Sequence, residues 1–271
     1  MITIDHDLHV HTYLSSCCDD KKNHMPANIL HLAEEMGLKT IGFSDHIWTN
    51  KRIKPDNWYS LQNEKHTITL CKDLKSISTP LQILVGCEAD TIAPGKFSIT
   101  KEYSEKLDYV NLSCSHFHMK QLVLQPKDET SQSVGKHLLS FFNSAVKSGI
   151  ATNIVHPLLP FGYENQYDSI IESISDNELY DNFAAAAEQN IGIEITVSFI
   201  PKVKKIRNKQ YSMWSIETPL RVLTLAKNAG CKFYFASDAH SLKEMKKLTM
   251  LGFFVKKLSL IEDDISPLVN G

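Results

Sequence analysis

The sequence predicts an α/β fold built on parallel strands, most simply an α/β barrel, with an open doubly wound sheet as the alternative. Short apolar runs rich in Val, Ile, Phe and Tyr alternate with helical segments, a pattern that favours parallel pairing through right-handed crossovers. The chain has 271 residues, 42% of them hydrophobic, which suits one barrel domain of about 250 residues. A single domain over residues 1–271 is therefore expected.

Seven segments have the length and composition of buried strands. They are 2–8, 40–44, 81–87, 109–115, 151–155, 192–197 and 232–237. Two longer polar loops, 50–60 and 201–215, follow strands. Seven strands alternating with helices are enough to close, or nearly close, a barrel.

Helices are expected between these strands. Pro26 suits the first turn of a helix over 25–37, and Gly37 can end it. Residues 134–149 and 177–190 carry apolar residues at helical spacing, and residues 218–230 repeat the pattern of a Pro near the start and a Gly at the end. Ser241 and Glu244 form a capping-box pattern at the next helix.

The composition argues against several classes of protein, among them nucleic-acid-binding and membrane proteins. With 29 basic and 31 acidic residues the formal net charge is -2, too little to indicate nucleic acid or an anionic membrane as the main partner. The chain begins in a strand-like segment, no run of about 18 apolar residues occurs, and the six cysteines contain no CxxC pair. We expect a cytoplasmic protein without a membrane span, with free thiols.

Histidine is the one residue in excess, at twelve per chain. Side chains alternate along a strand, so His9 and His11 point the same way and can bind one ion together. The same spacing relates Asp238 to His240 after the last strand, and His116 to His118.

The other candidate strands also end near metal-competent residues. Asp45 and His46 follow the second, Glu88 the third and His156 the fifth, while Glu194 lies within the sixth. In a parallel barrel the carboxyl ends of all strands meet in one ring, so these side chains should converge. Four histidines in helical or loop patterns are expected to be ordinary surface residues: His24, His31, His66 and His137.

Six short motifs occur in an order that resembles the PHP domain family, named for polymerases and histidinol phosphatases. They are DLHVHT, SDH, GCE, SCSH, VHP and SDAH, and the resemblance runs from about Asp7 to Ser241. The resemblance implies a distorted seven-stranded (βα)7 TIM-like barrel and three divalent ions of zinc, manganese or iron. The implied ligands are His9, His11, Glu88 and Asp238 for the first ion; Glu88, His116 and His156 for a second; and His46 and His240 for the third.

Cys17 stands where the family often has a histidine that completes the third set. Either its thiolate binds the ion, which would favour zinc or iron, or Asp19 or Asp20 substitutes, or the ion is weakly held. A plain small loop residue is the non-functional alternative. His118 matches no ligand of the family, and two roles stay open for it: binding an ion itself, or facing substrate or supporting a ligand. Asp45 and Glu194 are expected to support neighbouring residues.

The resemblance implies a metal-dependent phosphoesterase that hydrolyses a small phosphate monoester with metal-activated hydroxide, as histidinol-phosphate phosphatases do. Asp238, His240 and His118 are the candidate catalytic residues. Lys205 and Arg207, in the basic segment after the sixth strand, are candidate phosphate-binding residues, or else part of a solvated basic loop.

Three other functions remain open. A PHP-type nuclease or nucleotide phosphatase keeps the chemistry and changes the substrate, although the sequence shows no long basic groove. A catalytically silent PHP-type binding module is disfavoured by the nearly complete ligand set. An amidohydrolase-type C–N hydrolase would need a bridging lysine where this chain has Glu88. Oligomeric state is left open by the sequence.

Overall fold

The computed structural model describes residues 2–206 and 209–269. The strands are β1 His6–Val10, β2 Thr40–Phe43, β3 Gln82–Val85, β4 Cys87–Ala93, β5 Lys96–Phe97, β6 Val110–Ser113, β7 Asn153–Val155, β8 Gly192–Thr196, β9 Val203–Ile206, β10 Lys209–Ser212 and β11 Phe233–Ala236. The α-helices are α1 Pro26–Glu35, α2 Glu64–Leu74, α3 Lys101–Ser104, α4 Ser131–Val146, α5 Tyr167–Glu172, α6 Asp176–Glu188, α7 Glu217–Asn228, α8 Leu242–Met245 and α9 Gly252–Lys257. Short 3-10 turns lie at Glu164–Gln166, Val197–Phe199, Lys246–Leu251, Glu262–Asp264 and Pro267–Val269.

Parallel pairing dominates the strands, so the predicted α/β class is confirmed. One sheet has the order β1-β2-β3, and a larger sheet has the order β11-β8-β7-β6-β4-β5. Every pair in these two sheets is parallel except β4 with β5. Helices follow most of the parallel strands in the sequence, as parallel crossovers require.

The two parallel sheets meet at both margins through isolated bridges. Val10 pairs with Ala239 at one margin and His46 with Glu88 at the other. At the first margin Ser237 N donates to Asp7 Oδ1 over 2.9 Å, so a side chain replaces part of the backbone ladder. Within the described chain the strands therefore do not form one uninterrupted barrel ladder, and candidate site residues lie at the interruptions.

The predicted third strand is wrong in one respect, because residues 81–87 divide between two sheets. β3 pairs with β2 and β4 pairs with β6. The break falls at Gly86, where a Cβ atom would lie 2.6 Å from ring atoms of Tyr109. The residue placed after this strand, Glu88, is consequently the second residue of β4.

Two further boundaries differ from those predicted. β1 occupies His6–Val10 instead of 2–8, since its register with β2 begins at His6 opposite Thr40, and His9 therefore lies inside the strand. The predicted loop over 201–215 contains the antiparallel β9–β10 hairpin. That basic segment has few apolar residues in alternation, so its sequence did not predict strands.

The helix predictions hold for α1, α4, α6 and α7. Pro26 occupies the first turn of α1, and Gly37 beyond its end has a φ of +74°, which glycine adopts without strain. The apolar stripes of these helices pack on the sheets, and Ile29 and Phe141 are examples of fully buried side chains. None of the helices in the described ranges has the length and apolar character that a membrane span needs.

Candidate metal centre

The carboxylate of Glu88 is the point on which five histidine side chains converge. Its Oε2 lies 3.3 Å from His9 Nε2, 3.4 Å from His11 Nε2 and 3.3 Å from His46 Nε2, and its Oε1 lies 3.1 Å from His156 Nε2 and 3.5 Å from His116 Nε2. Burial opposes ionisation of Glu88, but His46 and His9 hold its pKa well below the usual value. The centre is therefore built around a buried anion.

Asp238 supplies a second carboxylate from the turn after β11. Its Oδ1 lies 3.3 Å from His11 Nε2 and 3.6 Å from His9 Nε2. Asp238 has a φ of +52° and His156 a φ of +31°, both in the left-handed region that non-glycine residues rarely occupy. Such backbone conformations concentrate at functional sites, where the surroundings enforce them.

Each of the six inward histidines has its outer ring nitrogen, Nδ1, fixed by a hydrogen-bonding group. The partners are Glu194 Oε1 for His9 (2.7 Å), Ser15 Oγ for His11 (3.2 Å), Tyr59 Oη for His46 (3.3 Å), Asp90 Oδ1 for His116 (2.7 Å), Ser115 Oγ for His156 (3.1 Å) and the Asp238 carbonyl for His240 (2.8 Å). Where the partner is an acceptor, Nδ1–H donates and the Nε2 lone pair is left for a cation.

The ligand atoms form three groups, each with its atoms within 4.8 Å of one another. The groups are His9, His11, Glu88 and Asp238; Glu88, His116 and His156; and His11, Cys17, His46 and His240. The sets implied by the family resemblance are thus brought together, with His11 added to the third. Residues separated by more than 200 positions in the sequence contribute to one site because the strand ends meet.

The chemistry of the groups fits divalent ions. Imidazole nitrogen, carboxylate oxygen and thiol sulfur are donors for zinc, iron and, without the sulfur, manganese. Among the described residues His11 Nε2 is buried without a hydrogen-bond partner, and an unpaired buried polar atom is costly. Burial lowers the pKa of His11, but the carboxylates of Asp238 and Glu88 outweigh it and raise the pKa to about 9, so this ring attracts a cation, whether a proton or a metal ion.

Cys17 lies half-buried beside this centre, in the group with His46 and His240. Burial, together with the charges of Glu88 and Asp238, raises the pKa of its thiol. Asp19 and Asp20, the substitutes considered from the sequence, belong to none of the three groups. Asp20 instead accepts hydrogen bonds from Asn23.

His118 stands at the exposed rim of the site. Its ring centroid is 5.2 Å from that of His116, but it belongs to none of the three groups. Partial burial and the proximity of His116 lower the pKa of His118 to about 4. His118 is therefore a neutral imidazole near neutral pH.

Sequence reasoning missed several supporting residues. Asp90 accepts from His116 Nδ1 and also from the Tyr59 hydroxyl. Its spacing of two from Glu88 on a strand is a signal that alternation could have revealed. The prediction that His24 is a surface residue is wrong, since it is fully buried with Nε2 3.3 Å from the Ala239 carbonyl oxygen.

Asp45 and Glu194 hold ligand segments in place, as expected. Asp45 accepts from both the backbone N and the hydroxyl of Thr12, each at 2.6 Å. Glu194 accepts from His9 Nδ1 with one oxygen and from the His156 backbone N with the other. Glu194 thereby couples the positions of two ligands from different strands.

Two adjoining cavities open on the centre. The smaller, of about 180 Å³, is lined by Cys17, His46, Trp58, Glu88, His116, His118, Met119, His156, Phe161, Asp238 and His240. The larger, of about 440 Å³, shares Phe161, Asp238 and His240 and extends to Lys202, Glu244 and Lys247. Lys205 lies exposed on β9 and lines neither cavity, and Arg207 lies outside the described residues.

Comparison with solved structures supports the α/β fold. A putative histidinol phosphatase from Listeria monocytogenes aligns with a TM-score of 0.62 at 13% identity, covering 89% of this chain and 97% of its own. Histidinol phosphate phosphatase from Lactococcus lactis, solved with zinc, L-histidinol and phosphate, aligns with a TM-score of 0.53 at 15% identity, covering 91% and 93%. No curated protein matches the chain significantly.

The family assignment rests on the sequence itself. The six motifs that carry the resemblance supply the residues of all three ligand groups except Cys17. The family model of the PHP domain matches residues 7–198, which is more than half of the chain. The chain belongs to the PHP domain family.

Proposed function

We propose that this protein is a metal-dependent phosphoesterase that hydrolyses a small phosphate monoester. The observation that carries the proposal is the convergence of imidazole Nε2 atoms and two carboxylates in three groups beneath one cavity. The residues that would hold the ions are His9, His11, His46, Glu88, His116, His156, Asp238 and His240. Bound divalent ions would lower the pKa of water and neutralise the phosphoryl oxygens.

The protein's own residues would prepare the site for that chemistry. Glu88 presents both oxygens to surrounding histidines, so it can serve more than one ion. Glu194 and Asp90 fix the rings of His9 and His116 through Nδ1, so that Nε2 faces inward. Preorganised ligands cost little reorganisation during reaction.

His118 and His240 would act at the substrate side of the site. His118 lines the cavity without belonging to a ligand group, and its low pKa makes it a neutral hydrogen-bonding group. A neutral imidazole at this position suits orientation of a phosphate oxygen better than donation of a proton to the leaving group. Asp238 and His240 line both cavities, where the scissile bond would lie.

A small leaving group fits the adjoining cavity of about 440 Å³. Histidinol phosphate is the first substrate to test, because the Lactococcus lactis structure contains L-histidinol and phosphate. Nucleoside monophosphates are the second candidate, because the partly exposed ring of Trp58 lies 5.0 Å from that of His46 and offers a stacking surface.

We also propose that the two parallel sheets together form the distorted (βα)7 barrel typical of the family. The bridges at both margins support this arrangement. A cytoplasmic location is proposed as well, and six free cysteines support it because reducing compartments preserve thiols.

The substrate proposal is tested by phosphate release from a panel of histidinol phosphate, nucleoside monophosphates, a simple aryl phosphate and a short oligonucleotide. We expect monoesters to be cleaved and the internal diesters of the oligonucleotide to stay intact. The Trp58→Ala variant should raise KM for heteroaromatic leaving groups and leave KM for small aliphatic esters unchanged. Faster cleavage of internal diesters than of any monoester would contradict the proposal and favour a nuclease.

A further inference from the structure

The three ligand groups differ in donor chemistry. Two contain carboxylate oxygens and imidazole nitrogens, whereas the third contains Cys17 with His11, His46 and His240. Thiolate sulfur is a soft donor that binds zinc strongly and has little affinity for manganese or magnesium. The centre therefore offers positions of two different kinds.

The Cys17 sulfur lies where it can bind an ion together with neighbouring histidines. Cys17 Sγ lies within 4.8 Å of a ring nitrogen on each of its three histidine neighbours. The Nδ1 of His46 is held by Tyr59 and that of His240 by the Asp238 carbonyl, so Nε2 is the nitrogen each ring has left for an ion. The Nε2 of His46 also lies 3.3 Å from Glu88 Oε2. Cys17 also lines the cavity of about 180 Å³ above Glu88, which an ion or water can reach.

An independent observation indicates that a ligand belongs here. His11, a member of the sulfur-containing group, is fully buried. Its Nε2 lies 3.3 Å from Asp238 Oδ1 and 3.4 Å from Glu88 Oε2, yet among the described residues it makes no hydrogen bond. No aspartate replaces the thiol in this group, since Asp19 is exposed and Asp20 bonds to Asn23.

We propose that the centre binds two kinds of ion: a zinc-type ion at the position formed by His11, Cys17, His46 and His240, and less selective divalent ions at the two carboxylate positions. On binding, the Cys17 thiol gives its proton to solvent and its sulfur lone pair bonds to the ion. Manganese alone would then leave the thiolate position empty, and zinc would fill it. The inference rests on the proposed function only in that the centre binds metal.

Cobalt(II) titration of the metal-free full chain tests this directly, because a sulfur–cobalt bond gives a charge-transfer absorption in the near ultraviolet. We expect the band in wild type and in Cys71→Ser, a matched control with a half-buried cysteine on α2. Cys17→Ser should lack the band and retain one cobalt fewer per chain. Cys17→His should retain the cobalt count without the band, which separates loss of sulfur from loss of folding.

Three results would overturn the inference: full cobalt occupancy of wild type without the band, an equal band in Cys17→Ser, or no cobalt retained at all. Phosphate release is measured separately on the same cobalt-loaded protein. A cobalt protein with the band that releases no phosphate from any ester defeats the proposed function alone. Phosphate release without the band defeats this inference alone.

Discussion

The histidines of the metal centre are held in place by side chains that bond to them and would not contact the ions themselves. Glu194 is the clearest case, with one oxygen on His9 Nδ1 at 2.7 Å and the other on the His156 backbone N. Its side chain is fully buried. An outer partner of this kind sets the ring orientation and raises the basicity of the ligand.

Replacing Glu194 by Gln should weaken metal binding while preserving the fold. The amide keeps the shape of the side chain but offers His9 a neutral partner in place of a carboxylate. We expect a loss of about 10- to 100-fold in zinc affinity, measured by competition with a chromophoric chelator. Glu188→Gln, at an exposed position of α6, is the control. Unchanged affinity in Glu194→Gln would show that His9 does not depend on this contact.

At the scale of single residues the sequence indicated which histidines share a face, but it missed several side chains that hold their rings. Strand alternation placed His9 with His11, because a two-residue period is a property of the backbone itself. Ser15 is only four residues beyond its partner His11. Other partners of Nδ1 come from distant segments, as Tyr59 does for His46 and Asp90 on β4 does for His116. Such contacts depend on tertiary packing, which local periodicity does not encode.

Strand elements position the centre through close packing around Tyr109. The Tyr109 ring is buried, and its hydroxyl lies 2.7 Å from Ser44 Oγ at the end of β2. Gly86, between β3 and β4, leaves the space that this ring occupies. In the sequence this region looks like one continuous apolar strand. The break is not visible there because the side chain that causes it, Tyr109, lies 23 positions away.

A Gly86→Ala substitution should therefore destabilise the protein. The new Cβ would lie 2.6 Å from ring atoms of Tyr109, and a buried ring cannot withdraw easily. We expect a loss of about 1–3 kcal/mol in the free energy of unfolding, measured by urea denaturation. Gly252→Ala is the control, because a Cβ added at this helical position would have no atom within 4 Å. Equal stability of both variants would remove Tyr109 as the reason for the break.

The segment around β9 and β10 contains Lys205, the candidate chosen from the sequence, and Lys202, which the structure places at the site. Lys202 lines the larger cavity, whereas Lys205 lies exposed on β9. Lys202→Ala should raise KM about tenfold, the effect of one lost charge-assisted hydrogen bond, and change kcat little. Lys205→Ala should leave KM nearly unchanged. Steady-state phosphate release decides, and a KM effect confined to Lys205→Ala would support the residue chosen from the sequence.

The molecule as a whole has a net charge of only -2, but it gathers ionisable side chains at one buried site, the candidate metal centre. In the metal-free protein the carboxylates of the centre favour protonation of His9 and His11. Although burial opposes protonation, Asp238 and Glu88 raise the pKa of His11 to about 9 from a usual value of 6.5. The pKa of His9 is also held well above its usual value, chiefly by Asp238 once the opposing effect of burial is overcome.

The metal-free protein should consequently lose stability as the pH rises from about 6.5 to about 9. Between these values the folded state binds more protons than the unfolded state, so the contribution of His11 is complete below 6.5 and is lost by about 9. The loss is on the order of 3 kcal/mol. Urea midpoints measured in chelator at pH 6.5, 7.5 and 9 test this. With zinc present the decline should disappear, because the ion replaces the protons. A flat profile in chelator would contradict the charge assignment.

The most direct test of the central claim is phosphate release from a small monoester by chelated protein and by protein reloaded with zinc or manganese, beside His9→Ala and Asp238→Ala. The account predicts turnover in reloaded wild type, none after chelation, and a loss of at least about 100-fold in both variants. Turnover that persists in chelator, or in variants that have lost their metal, would contradict a metal-dependent phosphoesterase.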